Sequence, residues 1–555
     1  MLAIIKFGNH KSKLFYDILI KTQNTALLAR HFASTAAAEN LDRKNIDDVA
    51  ASTEEWERAK PFEEIPTMST FKFLRNFLPC GKYAKLDSSE MMLAFREDMG
   101  PIARIPTLFG KEGFVITHNP HDFEKTLRNE GIWPNRPGSE ALIYHRSVHR
   151  GDVFQGVEGL IGTQGEKWGT FRSTVNPVMM QPKNVRLYFN KMSQVNKEFI
   201  ERIRNIRDPE TLEVPANFEE EINRWTLESV SVVALDKQLG LITTNRDDPT
   251  ATRLFQSLTD FIQCSMEIEM KPSIWKYYQT RTFKKLLTSL DGVMDITKNF
   301  VDEAISRLEE ERKNGVPEKP DSEKSVLEKL IKIDRKIAMV MAMDMLMAGV
   351  DTTSTTFTGL LLCLATNPEK QEKLRQEVRK LLPHKDSEFN EAVFKNMPYL
   401  RACIKESLRV YPLTVGNARV PINDVVLSGY RVPKGTRVTM ISTSLLKDDT
   451  HYPRAKEFLP ERWLRPSKAE TENATNECPM NALKASSPFI YLPFGFGSRS
   501  CIGRRIVEME LEMGIARLIR NYHVEFNYPT RNAFKSLLIY VPNIPLKFKF
   551  TDVKD

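Results

Sequence analysis

The sequence predicts a mainly α-helical fold with a minor β region, and three observations support this. An apolar stretch from Ile333 to about Leu364 has the length of a helix that crosses a whole domain. Helical periodicity recurs before and after it. Alternating patterns typical of strands are confined to short segments at 102–117, 413–438 and 521–550. Helices should therefore form the core, with small sheets beside them.

The other helices follow from amphipathic periodicity and from prolines at helix starts. Proline favours a first helical turn because its φ angle is already helical and its missing N–H needs no partner there. The glycine-rich segment 138–165 instead predicts a loop. Helices are predicted over 87–99, 120–127, 166–172 and onward, 217–240, 252–312 with a break near Lys271-Pro272, 368–382, and from Pro398 past Arg409.

The long apolar helix contains one polar interruption, Ala348-Gly349-Val350-Asp351-Thr352-Thr353. Glycine and threonine lower helix propensity, and a threonine hydroxyl bonds the carbonyl one turn back, so we expect a break or bulge here. A polar patch that faces solvent is the alternative. The apolar neighbours Met343, Met347 and Phe357 favour burial, and a buried acid needs a partner or a function.

A glycine-rich loop near the C-terminus, from Pro493 to Gly503, carries one cysteine and runs into a helical pattern. Cys501 lies where the loop meets the helix N-terminus, and backbone N–H groups there stabilise a thiolate. Such a thiolate, with Arg499 two residues before it, suits the axial position of a haem iron. A small buried cysteine in a glycine turn is the alternative for this residue taken alone.

Composition limits the remaining classes. The net charge of +8 comes from charges that are mixed along the chain without a long basic run, so nucleic-acid binding is not indicated. The six cysteines are scattered without a Cys-x-x-Cys pair, which argues against a zinc site and a disulfide framework and indicates a reducing compartment.

The N-terminus predicts a targeting segment. Residues 1–33 are basic and amphipathic with Asp17 as their single acid, which is the pattern of a mitochondrial transit peptide; a frayed N-terminal helix is the alternative. Residues 34–66 predict a polar linker, and 67–555 the folded domain. No run of about 18 apolar residues supports a membrane-spanning anchor, which leaves peripheral attachment to the inner membrane open.

The cysteine loop satisfies the pattern Phe-x-x-Gly-x-Arg-x-Cys-x-Gly through Phe494, Gly497, Arg499, Cys501 and Gly503. It resembles the haem-binding loop of the cytochrome P450 family. The resemblance covers roughly residues 60–550 and is greatest to insect mitochondrial members. It implies the cytochrome P450 fold as one domain, with haem b (iron protoporphyrin IX) as cofactor and Cys501 as the axial ligand of its iron.

The resemblance also implies roles for other residues. Asp351 and Thr352 match the oxygen-activation motif and would deliver protons. Glu406, Arg409 and Arg462 match a buried structural triad, although a surface ion pair is the usual meaning of such an i,i+3 spacing. The haem propionates would be held by Trp168, Arg172, Arg419 and Arg499.

The implied activity is that of an EC 1.14 monooxygenase in the mitochondrial matrix, which inserts one oxygen atom of O₂ into a lipophilic substrate, a steroid or a xenobiotic. Electrons would come from a two-iron ferredoxin with its NADPH-dependent reductase. The ferredoxin would dock on Arg401, Lys405, Arg504 and Arg505, unless these are ordinary solvated charges. The rival readings are a haem-thiolate isomerase or dehydratase, and a non-catalytic haem-binding protein. Substrate contacts are expected from 138–165, Met343, Met347, 413–415 and the turn near Phe534.

Overall fold

The computed structural model describes residues 53–243, 249–464, 483 and 485–554, and within them the predicted mainly α fold with a minor β region is confirmed. The predicted transit peptide lies outside these residues. The helices are α1 (Thr53–Arg58), α2 (Thr70–Arg75), α3 (Ser88–Met99), α4 (Pro120–Arg128), α5 (Glu140–Tyr144), α6 (Gly151–Phe154), α7 (Gly159–Gly162), α8 (Gly165–Met179), α9 (Pro182–Arg186), α10 (Phe189–Ile206), α11 (Phe218–Ala234), α12 (Pro249–Ser265), α13 (Arg281–Lys313), α14 (Val326–Ile333), α15 (Arg335–Ala365), α16 (Pro368–Leu381), α17 (Glu391–Lys395), α18 (Pro398–Val410), α19 (Thr443–Leu446) and α20 (Arg504–Asn521).

The strands form small sheets at the edges of the helical core. The largest has the order β1-β2-β6-β3, in which β2 and β6 run parallel and the other neighbours antiparallel. Three two-stranded sheets pair β4 with β5, β7 with β10, and β8 with β9. The strands are β1 (Ile102–Ile105), β2 (Phe114–Thr117), β3 (Gly416–Arg419), β4 (Val425–Leu427), β5 (Tyr430–Val432), β6 (Val438–Ile441), β7 (Tyr522–Glu525), β8 (Phe534–Ser536), β9 (Tyr540–Pro542) and β10 (Lys549–Asp552).

Helix α15 is the central element of the core. Asp334 caps its N-terminus by accepting hydrogen bonds from the N–H groups of Lys336 and Ile337. The expected break at 348–353 is wrong, because α15 is continuous from Arg335 to Ala365. Among the described helices α15 is long and apolar enough to cross a membrane, but 67% of its most hydropathic window is buried in the protein, as expected of a core helix.

Helix α11 packs along α15 and fixes its position. The rings of Trp225 and Phe357 lie 4.6 Å apart between their centroids. A Cβ at Gly349 would lie 3.0 Å from Val230 Cγ2, so the glycine allows the two helices their close approach. The glycine of the polar motif therefore has a packing role on the α11 side of α15.

Two predicted loop segments contain regular structure. Within the predicted linker 34–66, residues from Thr53 onward carry α1 and a 3₁₀ turn, and Arg431 donates hydrogen bonds to the carbonyls of Trp56 and Glu57. The folded part thus begins before residue 67. The glycine-rich segment 138–165 is a series of short helical turns and includes a π-helical turn, His145–His149. Backbone hydrogen bonds within each turn give this segment a fixed shape despite its glycines.

Candidate active site

The cysteine loop folds back on itself just before α20. The Cys501 N–H donates to the Phe494 carbonyl at 2.8 Å, and Gly497–Arg499 forms a 3₁₀ turn. Gly495 and Gly497 have φ angles of +74° and +62°, which other residues rarely adopt. A Cβ at Gly497 would also lie 2.0 Å from Glu130 Oε1. Both glycines are therefore needed to present Cys501 at the helix N-terminus.

The Cys501 side chain borders open space, yet burial is the main cause that raises the pKa of its thiol. The N–H groups of Gly503 and Arg504, together with Arg172 and Arg136, oppose this by lowering the pKa. A side chain that is surrounded by protein but not covered faces an internal space. The surrounding N–H donors and guanidinium groups favour the thiolate, which is the form that ligates a metal.

The middle of α15 also has side chains that border open space inside the protein. Ala348 is exposed and Thr352 half-buried, although the helix on either side is buried. Asp344, Ala348 and Thr352 are four residues apart and so share one face. Arg136 interacts electrostatically with both Asp344 and Cys501. This face of α15 and the cysteine loop therefore border one internal space.

Of the two predicted oxygen-activation residues, Thr352 lies at this opening and Asp351 directly precedes it. The Thr352 hydroxyl donates to the Ala348 carbonyl at 2.5 Å, one turn back, without breaking the helix. The Asp351 carboxyl has a buried oxygen, Oδ2, without a hydrogen-bond partner, and burial raises its pKa to about 6. An acid that titrates near neutral pH beside a hydroxyl can hold and release a proton there.

The predicted propionate ligands converge on the other wall. The Arg499 guanidinium stacks 4.0 Å from the Trp168 ring centroid and donates to the carbonyls of Pro134, Leu160 and Thr163. Arg172 lies 5.9 Å from the same ring, and its buried Nε has no hydrogen-bond partner. Burial, with the neighbouring arginines, lowers the pKa of Arg499 to about 8.

Arg419 joins this cluster from strand β3. It pairs with the buried Glu130 and donates to the Phe496 carbonyl at 3.3 Å. Glu130 also lies against Gly497, because a Cβ at Gly497 would be 2.0 Å from Glu130 Oε1. The pair therefore links the β sheet directly to the cysteine loop.

Sequence reasoning missed Arg136. Its backbone exchanges hydrogen bonds with the Gln164 side chain, and its guanidinium makes one long contact of 3.4 Å to the Ile161 carbonyl. Burial is the main cause that lowers its pKa, and the interaction with Cys501 opposes it. The signal for Arg136 in the sequence is its position between Pro134 and Pro137, because proline restricts the backbone there.

The arginine cluster beside Cys501 indicates which cofactor the site can hold. Four guanidinium groups converge on the space beside Cys501, and Glu130 is the carboxylate paired with one of them. Such an excess of buried positive charge requires anions. The two propionate carboxylates of a haem would satisfy this requirement, and the Cys501 thiolate would ligate its iron. The residues present therefore fit haem b.

The structure brings Glu406, Arg409 and Arg462 together in a fully buried cluster. Glu406 accepts hydrogen bonds from both arginines, from the Leu459 N–H and from Trp463 Nε1. The two guanidiniums also donate to backbone carbonyls of the segment 446–457 and of Leu483. The cluster thus ties α18 to the chain that precedes the cysteine loop.

The four predicted docking residues differ in their surroundings. Lys405 and Arg505 are exposed, and no side-chain partner is seen for them among the described residues. Arg504 is exposed but pairs with Glu508 at 2.8 Å. Arg401 donates to both carboxylate oxygens of Glu512, at 2.9 and 3.0 Å, and to two backbone carbonyls. Arg401 is thus largely engaged within the fold.

A thiolate that faces a core helix beside four guanidinium groups, of which one is paired with a carboxylate, defines a haem-thiolate protein. A family model described as cytochrome P450 matches residues 69–550. The chain is 74% identical over 510 residues to cytochrome P450 CYP12A2 of Musca domestica, which covers 92% of this chain and 94% of the relative. It is 61% identical over 500 residues to probable cytochrome P450 12a5, mitochondrial, of Drosophila melanogaster, with 90% and 92% covered.

A third relative, probable cytochrome P450 12c1, mitochondrial, of Drosophila melanogaster, is 47% identical over 519 residues, with 94% of this chain and 97% of the relative covered. The chain belongs to the cytochrome P450 family, whose members bind haem through a cysteine thiolate and are monooxygenases of the EC 1.14 class.

Proposed function

We propose that this monooxygenase acts in mitochondria on a lipophilic substrate, with Asp351 and Thr352 as its proton-delivery residues and a two-iron ferredoxin as its electron donor. The observation that carries the proposal is the opening in the middle of α15, where Thr352 borders the space beside Cys501 and Asp351, which has a buried carboxyl oxygen, precedes it directly in the helix. A haem-thiolate isomerase or dehydratase, or a passive haem carrier, would use the same cysteine but would need no proton delivery to dioxygen.

The mechanism assigns each residue a task. When bound, the haem supplies the electron-transfer and dioxygen chemistry. Arg136, Arg172, Arg419 and Arg499 would hold its carboxylates, and Cys501 would ligate its iron. Because the Thr352 hydroxyl donates its hydrogen bond to the Ala348 carbonyl, its oxygen is left as a hydrogen-bond acceptor that can position a proton donor beside it. Asp351, with a pKa of about 6, holds such a proton at its carboxyl.

Residues that exclude water would be apolar. Met343 and Met347 are buried on α15. Phe534 packs against Tyr411 with ring centroids 4.9 Å apart, next to Gly359 on α15. Thr355 donates at 3.0 Å to the carbonyl of Tyr540, which brings β9 against α15. These apolar walls support a lipophilic substrate and do not distinguish a steroid from a xenobiotic.

Electron supply is assigned to the surface behind the cysteine loop. A groove of about 400 Å³ there is lined by Lys405, Arg504 and Phe494 of the loop, among others. Lys405 in this groove is exposed and has no side-chain partner among the described residues, and Arg505, beside an adjoining groove, is exposed in the same way. Both add positive charge that suits an acidic ferredoxin. Arg401 is assigned a supporting role, because Glu512 already neutralises it.

The test is turnover with purified redox partners. The double variant Lys405→Glu/Arg505→Glu should lower ferredoxin-driven reduction at low salt at least about tenfold while haem content stays normal. Reversal of Lys284 and Arg281 on α13, which are also exposed, is the matched control and should change little. Equal reduction rates for the docking variant and the wild type would refute ferredoxin docking at this surface.

The location is proposed to be the matrix side of the inner membrane, with peripheral contact. The names of two relatives include the word mitochondrial. Exposed apolar side chains lie on two neighbouring segments. Phe71 is 78% exposed on α2, and Tyr277 is 74% exposed beside the β1–β2 turn, where Lys276 donates to the Gly110 carbonyl. Such unpaired apolar surface favours a bilayer interface.

Sedimentation with anionic phospholipid vesicles tests this contact. Phe71→Ser/Tyr277→Ser should reduce the bound fraction several-fold, because each change removes apolar surface from the interface. Val316→Ser, on an exposed valine elsewhere, is the control. Unchanged vesicle binding by the double variant would contradict this surface.

A further inference from the structure

The π-helical turn His145–His149 holds two consecutive residues that reach to different helices. His145 Nε2 lies 3.0 Å from Asp291 Oδ1 on α13, and Arg146 Nη2 lies 2.7 Å from Asp344 Oδ1 on α15. Both His145 and Arg146 are fully buried. A π-helical turn changes the angle between consecutive side chains, and it frequently occurs at functional sites. Here it lets one short segment hold two core helices.

The contact with α15 is the more completely enclosed of the two. Asp344 is 3% exposed and its second oxygen, Oδ2, accepts from the Leu160 N–H at 2.6 Å. Arg146 also donates through Nη1 to the Glu158 carbonyl. The pair therefore fastens both the π-helical turn and the 158–160 backbone to α15. The Asp291 contact is partly solvated, and His149 and Arg150 share that carboxylate.

Gly159 makes the arrangement specific. Its φ angle is +79°, and a Cβ there would lie 2.4 Å from both Arg146 Nη1 and Asp344 Oδ2. Only glycine fits where the backbone passes so close to the ion pair. The glycine-rich composition of this segment thus has a local purpose at this position.

The pair also lies at the active site. Asp344 is one turn before Ala348 and two turns before Thr352, on the open face of α15. Arg136, beside Cys501, interacts electrostatically with Asp344. Segment 140–162, which the pair fastens, therefore forms part of the wall of the internal space.

We propose that Arg146 and Asp344 are positioning residues that hold segment 140–162 closed over the active site and thereby place the wall that a large ligand contacts. A buried ion pair adds little net stability compared with apolar residues of the same shape, but it fixes geometry strictly. The pair makes no contact with reacting atoms and acts through the segment that it orients. The proposal rests on the proposed lipophilic substrate only in one of its two tests, the comparison of Kd values for a large and a small ligand.

The experiment uses the haem-loaded protein and two readouts. In Arg146→Met/Asp344→Leu, which replaces the charges by apolar side chains, amide hydrogen exchange in 140–162 should rise about tenfold, because local opening becomes easier. By visible difference spectra, the Kd for 4-phenylimidazole should rise about tenfold, while the Kd for imidazole stays within about twofold, because only the larger ligand touches the displaced wall.

Two further variants make the test decisive. Arg202→Met/Glu221→Leu removes another largely buried pair, between α10 and α11, and should leave both readouts unchanged. If the first double variant does not fold, Arg146→Lys keeps the charge but cannot reach both Asp344 and the Glu158 carbonyl, and should still raise exchange several-fold. The proposal would be overturned if Arg146→Met/Asp344→Leu or Arg146→Lys showed the wild-type rate of amide exchange in 140–162 and an unchanged ratio of the two Kd values. This outcome does not depend on the redox partner or the substrate.

Discussion

Replacement of the buried Glu406 should destabilise the protein more than replacement of an exposed charged residue. One carboxylate accepts five hydrogen bonds, from Arg409 at 2.8 and 3.1 Å, from Arg462 at 3.0 Å, and from the Leu459 N–H and Trp463 Nε1 at 3.0 and 2.8 Å. All three charged side chains are buried. In Glu406→Gln, one acceptor oxygen becomes an NH₂ group that faces donors, and two buried guanidiniums lose their counter-charge, which costs about 3–5 kcal/mol.

That loss is a large part of the roughly 5–15 kcal/mol by which a typical protein is stable. We expect low haem content and a free energy of unfolding reduced by about 3–5 kcal/mol in urea, measured at equal haem occupancy. Glu457→Gln is the control, since its pair with Arg454 is exposed to solvent and contributes little to stability. A loss below about 1 kcal/mol for Glu406→Gln would refute the argument that this carboxylate balances two buried charges.

Three further predictions concern the loop and the buried acids. Gly497→Ala should lose most of its haem by absorbance, because the new Cβ meets Glu130 and the backbone is left-handed; normal haem content would contradict this. Burial raises the pKa of Glu510, so its stabilising contribution exists only at low pH and is lost as pH rises through that pKa. Glu510→Gln should therefore raise the melting temperature more at pH 8 than at pH 5, and an equal change at both pH values would speak against it. In wild type, coupling of electron use to product should fall as pH rises through about 6, and Asp351→Asn should remove this dependence; a shared pH profile would exclude Asp351 as the proton source.

Local sequence determined the helices well because their signals are local. The cap at Asp334, the prolines before α16 and α18, and the apolar length of α15 each act within a few residues. The segment 138–165 was predicted as a loop because glycine content suggests turns, whereas short helical turns there are held by contacts with α13 and α15. Such contacts are made by residues far apart in the chain.

The continuous path of α15 through Asp351 and Thr352 has the same cause. Propensity alone favours a break at this polar motif, but packing against α11 at Gly349 and further along at Phe357 outweighs the small cost of a few weak helix formers. The sequence predicts a bulge at this motif. The helix is instead unbroken, and Ala348 is exposed on one of its faces.

By itself the sequence determined the chemistry of this protein: the cysteine at a helix N-terminus, its glycines, and the acid and threonine of the core helix, because each depends on residue type and close spacing. Only the tertiary structure decided which charges meet. It placed Arg136 with Arg172, Arg419 and Arg499, joined Arg146 to Asp344, and engaged Arg401 with Glu512. Electrostatic partners are chosen by distance in space and by burial, and neither is encoded in any local stretch of sequence.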